Sequence, residues 1–251
     1  MKTLFRAARP AAVFATIAVM LSVQPASAVP ELQLYIEGAT YDATTETWEA
    51  DISSSGTLRL WTIGNVSGPG SHGALYDVKL AIAYQHGDTP TFVLTSSTTG
   101  GLGGFFDPST PGAATYIQTV TDGSAPLLGD GSVLPNHGEY GAGTDWQEYA
   151  LGNFTLEDSP MGDFIDSFPA PGLTGQGQIN VYEITVTGTD TVHFDLYDHY
   201  YSRTRAAYKF APFSHDGGGT SVPDNGSTVL LLGLAITGLA IGAWRRGRKA
   251  A

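Results

Sequence analysis

The sequence of 251 residues contains no cysteine. This absence excludes disulfide bonds, a thiolate nucleophile, a zinc site built from thiolates and a lipid attached to an N-terminal cysteine. Stability must come from the burial of apolar side chains, with or without the help of a metal. The motifs GxSxG and HExxH and a phosphate-binding glycine loop are also missing, so serine-hydrolase, metalloprotease and nucleotide-dependent activities have no support.

Basic residues are scarce between the two ends of the chain. Of the 12 lysine and arginine residues, three precede residue 10 and four follow Trp244, which leaves five against 24 acidic residues, a formal charge of −19. Such a charge repels nucleic acid and anionic lipid, so we expect no nucleic-acid partner. The favoured interpretation is solubility, and the alternative is attraction of divalent cations.

The N-terminus has the layout of a secretory signal peptide. Three basic residues precede the largely apolar run 11–23, and the small residues Ala26 and Ala28 follow it. The run is too short to span a bilayer core of about 30 Å. We therefore expect signal peptidase to remove residues 1–28 and to leave Val29 as the mature N-terminus, the alternative being an uncleaved anchor.

The C-terminus combines a turn motif (222–227), an apolar helix (228–244) and a basic tail (245–251). Residues 229–244 are apolar or glycine except for Thr237, and a helix of that length spans only about 24 Å. By the positive-inside rule the tail stays in the cytoplasm, held there by Arg245, Arg246, Arg248 and Lys249. The sequence thus predicts export that stops at a short transmembrane helix.

The turn motif has the sequence VPDNGS. Proline keeps the residue before it extended, and Asn-Gly forms turns, so the motif favours access by a protease. The whole layout resembles the PEP-CTERM and VPDSG-CTERM sorting signals that membrane-embedded exosortases recognise. The resemblance implies brief residence in the inner membrane of a Gram-negative-type bacterium, then transfer to the cell surface or matrix. The residues implied in processing are Val222, Pro223, Asp224, Asn225 and Gly226, with Asn225 where the VPDSG form has serine.

Two alternatives to an exosortase signal are weighed. An ordinary single-pass protein could have a helix that happens to be short. Gram-positive sortase signals share the layout, but the Thr-Gly pair that sortases cleave is missing after Pro223.

Strand patterns dominate residues 29–221. Apolar residues alternate with polar or small ones over 32–36 and 76–84, and each run predicts a strand with one buried face. The runs 182–186 and 192–196, joined by a turn at 188–190, predict a hairpin. Since helical periodicity is missing, we expect an all-β fold, an antiparallel β-sandwich of jelly-roll type. For the Gly/Pro-rich region 96–144 three alternatives stay open: an extended functional loop, a partly disordered segment, or a segment broken by a short strand such as Thr115–Val120.

Five segments of this domain resemble a family of exported bacterial proteins. They are LQLYIEGATYDATTETW, LYDVKLAIAY, NHGEYGAGTDWQEYALGNFTLEDSP, HFDLYDHY and KFAPFSHD. Together they are similar to the choice-of-anchor N family, whose members carry interchangeable C-terminal sorting signals. The resemblance implies export and anchoring, and it implies no reaction.

Two stretches carry candidate ligand-binding residues. In TVHFDLYDHYY (191–201) a strand places alternate polar residues on one face, where His193 and Asp195 stand about 6.6 Å apart, close enough for one metal ion. His199 would need a bend to join them. The favoured interpretation is a solvent-facing polar surface, and the alternative is a face for sugar or metal.

The second stretch, NHGEYGAGTDWQEY (136–149), sets His137, Glu139 and other acids beside aromatic rings. Rings cover the apolar faces of sugars, while carboxylates bind hydroxyls or act as acid and base. A structural role, a binding site and a hydrolytic pair all stay open. The predicted ligand face comprises Asp145, Trp146, Glu148, His193 and Asp195. Asp122 and Asp130, each in an Asp-Gly-Ser sequence, are candidate calcium ligands or ordinary turn residues.

Two functions of different classes follow. The first is an exported, exosortase-sorted, non-enzymatic structural or adhesive protein of the cell surface or extracellular polysaccharide matrix. The second is a carbohydrate-binding or carbohydrate-cleaving surface domain, with calcium as a candidate cofactor.

Overall fold

A computed structural model describes residues 29–44, 47–52, 56–68, 70–98, 112–135, 139–167, 175–202, 205–211 and 216–220. The predicted signal peptide and the predicted sorting segment from residue 222 onward lie outside the described residues. Within these ranges, no helix has the length and apolar character that crossing a bilayer requires.

The described residues form thirteen strands and one helical turn, so the all-β prediction is confirmed. In chain order they are β1 (Leu32–Ile36), β2 (Thr40–Asp42), β3 (Thr47–Asp51), β4 (Thr57–Ser67), β5 (Leu75–Gln85), β6 (Thr91–Ser97), β7 (Thr115–Val120), β8 (Thr144–Phe154), β9 (Ser159–Met161), α1 (Phe164–Ser167), β10 (Gly175–Thr187), β11 (Thr191–Ser202), β12 (Arg205–Phe210) and β13 (Asp216–Thr220).

The strands build two sheets. The five-stranded sheet has the order β1-β4-β10-β6, with β9 also paired to β10, and all its pairings are antiparallel. The eight-stranded sheet has the order β2-β3-β13-β11-β5-β8-β7, with β12 also paired to β11. This second sheet is mixed, because β13 runs parallel to β3. Jelly-roll topology stays a prediction.

The main core lies between the two sheets. Alternate residues of β1, β4 and β10 face alternate residues of β5, β8 and β11, and together they form one buried apolar cluster. Leu34 and Leu60 from the first sheet, and Leu80, Ile82 and Phe194 from the second, are all fully buried. The burial of both inner faces holds the sandwich together.

The predicted hairpin at 182–196 is wrong. β10 pairs with β4, β6 and β9, whereas β11 pairs with β5, β12 and β13, so the two strands belong to different sheets. The turn at Gly188 carries the chain across the core. Alternation shows that each strand has an apolar face, but it cannot show whether two such faces lie side by side or opposite each other.

The outer face of β1 is also buried, which corrects the expectation of one buried face. Gln33 donates to the Gly162 carbonyl (2.9 Å) and accepts from the Phe164 amide (2.9 Å). Tyr35 packs edge-on against Trp61, with ring centroids 5.4 Å apart. Residues 159–165 and β3 therefore cover this side of the five-stranded sheet and create a second apolar cluster.

The region 96–144 contains β7 at Thr115–Val120, which confirms the predicted strand. The residues that follow it, 121–135 and 139–143, lie across the outer face of the eight-stranded sheet, and we call them the covering segment. It packs Leu128, Leu134 and Tyr140 onto a third apolar cluster. The Trp146 indole N–H donates to the Ser124 carbonyl (2.6 Å) and fixes the segment to β8.

Candidate functional site

Four of the five residues of the predicted ligand face share the outer face of the eight-stranded sheet. β11, β5 and β8 lie side by side, so residues in register form rows across them. One row contains His193 of β11 and Trp146 of β8, which both pair with Ala83 of β5 between them. The next row on this face contains Asp195 and Glu148 in the same way. The sheet therefore brings these four together.

Asp145 is not part of this face. It lies opposite Tyr84, whose ring belongs to the core between the sheets. Its carboxylate is 2.7 Å from Nδ1 of His86 and 3.5 Å from the backbone amide of Gly87. Asp145 thus binds the turn that follows β5 at the end of the sandwich.

The Asp195 side chain is buried under the covering segment and that of His193 is partly buried, with exposed fractions of 8% and 16%. The favoured interpretation of a solvent-facing polar surface is therefore wrong. The Tyr140 hydroxyl donates to Oδ2 of Asp195 (2.5 Å), and Nε2 of His193 lies 3.6 Å from Oδ1. Burial lowers the pKa of His193, but the carboxylates of Asp195 and Glu139 outweigh burial and raise the pKa above its ordinary value.

Glu148 is held by side chains of three strands. The Tyr197 hydroxyl donates to Oε1, the Gln118 amide donates to Oε2 (2.9 Å), and the Lys79 ammonium lies 3.8 Å from Oε1. Burial and the neighbouring Glu148 raise the pKa of Tyr197 well above its ordinary range. Glu148 thus links β8 to three other strands of the sheet, and Asp195 attaches the covering segment to β11.

A shallow depression of about 310 Å³ lies beside this cluster, where β5, β8 and β11 reach the same end of the sandwich. Its volume is at the lower end of the range for small-molecule sites. Of the five predicted residues, His193 alone is among its described lining. The other lining residues are Ala83, Tyr84, Gln85, Glu139, Thr144 and Thr191.

The other predicted histidines do not extend the site within the described part of the chain. His137 lies outside the described residues. His199 stacks on Tyr76 at 5.9 Å, and a bulge in the pairing with β5 separates it from Tyr197. In the described ranges, no group of three His, Asp or Glu side chains is arranged to hold a metal.

Asp122 and Asp130 form ordinary turns. Oδ1 of Asp122 accepts from the Ser124 amide (2.9 Å) and hydroxyl (2.5 Å), and Asp130 does the same with Ser132 (2.9 and 2.6 Å). These bonds lower the pKa of both carboxyls. The turn interpretation is confirmed at both positions, and calcium binding stays a prediction.

Sequence reasoning missed a second acidic cluster, at the opposite end of the core. Asp198 is only 2% exposed, and neither carboxylate oxygen has a hydrogen-bond partner of good geometry among the described residues. Burial and the nearby Glu31 raise the pKa of Asp198 to about 8, although Lys209 opposes the shift. Burial also raises the pKa of Glu31, whose carboxylate is 3.0 Å from Nδ1 of His72. The one signal in the sequence is an acid at an apolar-face position of β11.

We expect Asp198→Asn to stabilise the protein more at pH 8 than at pH 5. The folded protein keeps this proton up to about pH 8, whereas an unfolded chain releases it near pH 4. The free energy of unfolding therefore falls as the pH rises between these values, and asparagine removes that loss. Thermal midpoints at both pH values test this, with the exposed Asp190→Asn as the control. An equal shift of the midpoint at both pH values would contradict the assignment.

Comparison with known proteins finds one family, and it concerns the C-terminal segment. Residues 221–248 match the VPDSG-CTERM motif. No curated protein matches the chain. The match includes the whole turn motif, so Asn225 does not prevent it. The resemblance to the choice-of-anchor N family is not confirmed and stays a prediction. The motif supports an exported protein with a C-terminal sorting signal of the kind that exosortases process.

Proposed function

We propose that this chain is an exported protein that an exosortase sorts to the cell surface or the extracellular polysaccharide matrix. There the sandwich acts as a structural or adhesive component without catalysis. The observation that carries the proposal is the VPDSG-CTERM match at 221–248. The motif begins one residue after β13 ends at Thr220, so the sorted cargo is the sandwich itself.

The order of events follows from the two ends of the chain. Signal peptidase cuts between Ala28 and Val29 after export has begun. The short apolar helix then stops transfer, and the basic tail stays in the cytoplasm. Cleavage near 223–226 separates the sandwich from the inner membrane and releases it to the outside.

The state of the acidic residues supports a non-enzymatic role. Asp195 and Glu148 are the two predicted carboxylates that share the outer face of the eight-stranded sheet, and both accept hydrogen bonds from buried tyrosines. A hydrolytic pair needs carboxylates that reach a substrate from both sides of the scissile bond. Here Asp195 instead binds the covering segment, and Glu148 binds side chains of β5, β7 and β11.

Fractionation of the native host tests the proposal. In the wild type we expect a surface or matrix form whose N-terminal sequence begins at Val29. In a strain without the exosortase, we expect the same N-terminus on a longer form that stays with the inner membrane. Recovery of Met1, or an identical distribution in the two strains, would contradict it.

A carbohydrate-binding role is the second candidate, and the depression beside His193 favours it. The His193 imidazole and the Glu139 carboxylate line an opening of about 310 Å³ next to Thr144 and Thr191, so the opening offers polar groups for sugar hydroxyls. Calcium would be an added ligand in this proposal.

A glycan array probed with the exported protein, with and without calcium, tests the second candidate. We expect glycan binding in the depression beside His193 to be lost in His193→Ala. It should be kept in Val93→Ala, an exposed control on the other sheet. Thermal midpoints of both variants check that they fold. The absence of binding to every glycan under both conditions would contradict this role.

A further inference from the structure

The last described strand, β13, is an interior strand although it comes at the end of the domain. It lies between β3 and β11, paired in parallel with the first over five positions and antiparallel with the second over four. The eight-stranded sheet is therefore continuous only when residues 216–220 are inserted. The VPDSG-CTERM match begins at residue 221, directly after this strand.

Three consecutive glycines let β13 lie close to the core. A Cβ atom at Gly217 would stand 3.0 Å from Cδ1 of Ile36, and one at Gly219 would stand 3.0 Å from Cγ2 of Ile52. Both positions are buried, and a Cβ atom at either one would be in a tight contact that requires the neighbouring isoleucine to shift. At Gly218, on the other side of the strand, the nearest atom would be 3.4 Å away, an ordinary contact.

These glycines make the strand easier to open than its neighbours. β13 is held mainly by backbone hydrogen bonds to β3 and β11, because three of its five residues have no side chain to bury. Glycine also gains more backbone entropy on release than other residues do. Local opening of such a strand requires less free energy than opening a strand with a buried apolar face.

The sorting motif follows the sheet closely in the sequence. Only Ser221 separates Thr220 from Val222, and only residues 221–228 separate the sheet from the apolar segment. Eight residues span at most about 29 Å when fully extended. A protease that binds several extended residues on both sides of a cut near 223–226 would therefore also need residues of β13.

We propose that β13 controls the access of the processing enzyme to the sorting motif. Docked in the sheet, the strand withholds the residues just before the motif, and the enzyme binds when the strand opens from its end. Gly217 and Gly219 are positioning residues in this scheme, because they set how tightly the strand is docked. The inference rests on the proposed function, since it requires that the motif is processed.

The most direct test is to lengthen the chain between β13 and the sorting motif. Insertion of about six glycine and serine residues between Thr220 and Ser221 leaves β13 docked and supplies flexible chain to the enzyme. The processing rate should increase at least about threefold, because the fraction of molecules open to the enzyme no longer limits it. A pulse-chase experiment in the native host measures the rate, and an unchanged thermal midpoint confirms that the sheet is intact.

A matched pair of glycine variants tests the docking itself. Gly219→Val should loosen β13 and increase the processing rate, whereas Gly218→Val, which points to the other side, should leave the rate unchanged. Faster processing in the insertion variant supports the proposal even if Gly219→Val fails to fold. An unchanged or slower rate in the insertion variant overturns the proposal.

A third variant separates this inference from the proposed function. If the insertion variant is processed at the wild-type rate while Pro223→Ala with Asp224→Ala blocks processing, the motif is a sorting signal and only the control by β13 is wrong. If the double alanine variant is processed normally, the proposed function fails, and the inference from β13 fails with it.

Discussion

Replacement of both Pro223 and Asp224 with alanine is expected to leave export intact and to trap a larger, membrane-bound form of the protein. The apolar segment and the basic tail still stop transfer in this variant. The variant loses the proline that is expected to keep the preceding residue extended, and the acidic side chain beside the Asn-Gly pair. Immunoblots of inner-membrane and surface fractions measure the ratio of the two forms.

A matched control replaces two residues of the same segment that follow the five residues implied in processing, Val222 to Gly226. Ser227→Ala with Thr228→Ala should be processed as in the wild type. A double variant at Pro223 and Asp224 that reaches the surface at the mature size would show that these residues do not form the recognised signal.

We expect Phe194→Ala to destabilise the domain strongly. The side chain of Phe194 is fully buried between the two sheets. Truncation of a buried phenylalanine costs about 3–5 kcal/mol, a large part of the 5–15 kcal/mol by which most domains are stable. Val93→Ala removes a side chain that is 53% exposed, and it should change the free energy of unfolding by less than about 0.5 kcal/mol. Denaturation of the mature protein in urea compares the two variants. Equal midpoints would contradict the position of β11 at the core.

Much of the local structure could be predicted from the sequence. Alternating side chains located β1 and β5, and the β-branched and aromatic residues of Thr115–Val120 located β7. These predictions depend on neighbours within one strand, where the period of two is visible. The sheet to which each strand belongs depends on contacts between distant residues, which is why the sequence pattern predicts a hairpin where β10 and β11 belong to different sheets.

The candidate site was predictable in part for the same reason. Residues two apart in a strand share a face, so Trp146 and Glu148 could be placed together, as could His193 and Asp195. By the same rule Asp145 belongs to the opposite face. The burial of this face could not be predicted, because it depends on Tyr140 and other residues of the covering segment.

Asp198 shows what a pattern of polar and apolar residues omits. The alternation places it with the apolar residues of β11, where it lies between the sheets near Glu31 and Lys209. The sequence marks the position as an exception, but Glu31 directly precedes β1 and Lys209 belongs to β12. Their proximity exists only in the folded sandwich.

The intact mass of the surface-exposed protein, purified from its native host, tests the central claim most directly. The account predicts a chain that begins at Val29 and ends within residues 223–226, without the apolar segment and without the basic tail. A mass that still includes residues 245–249 would contradict sorting by cleavage, and it would show that the C-terminal helix is a permanent membrane anchor.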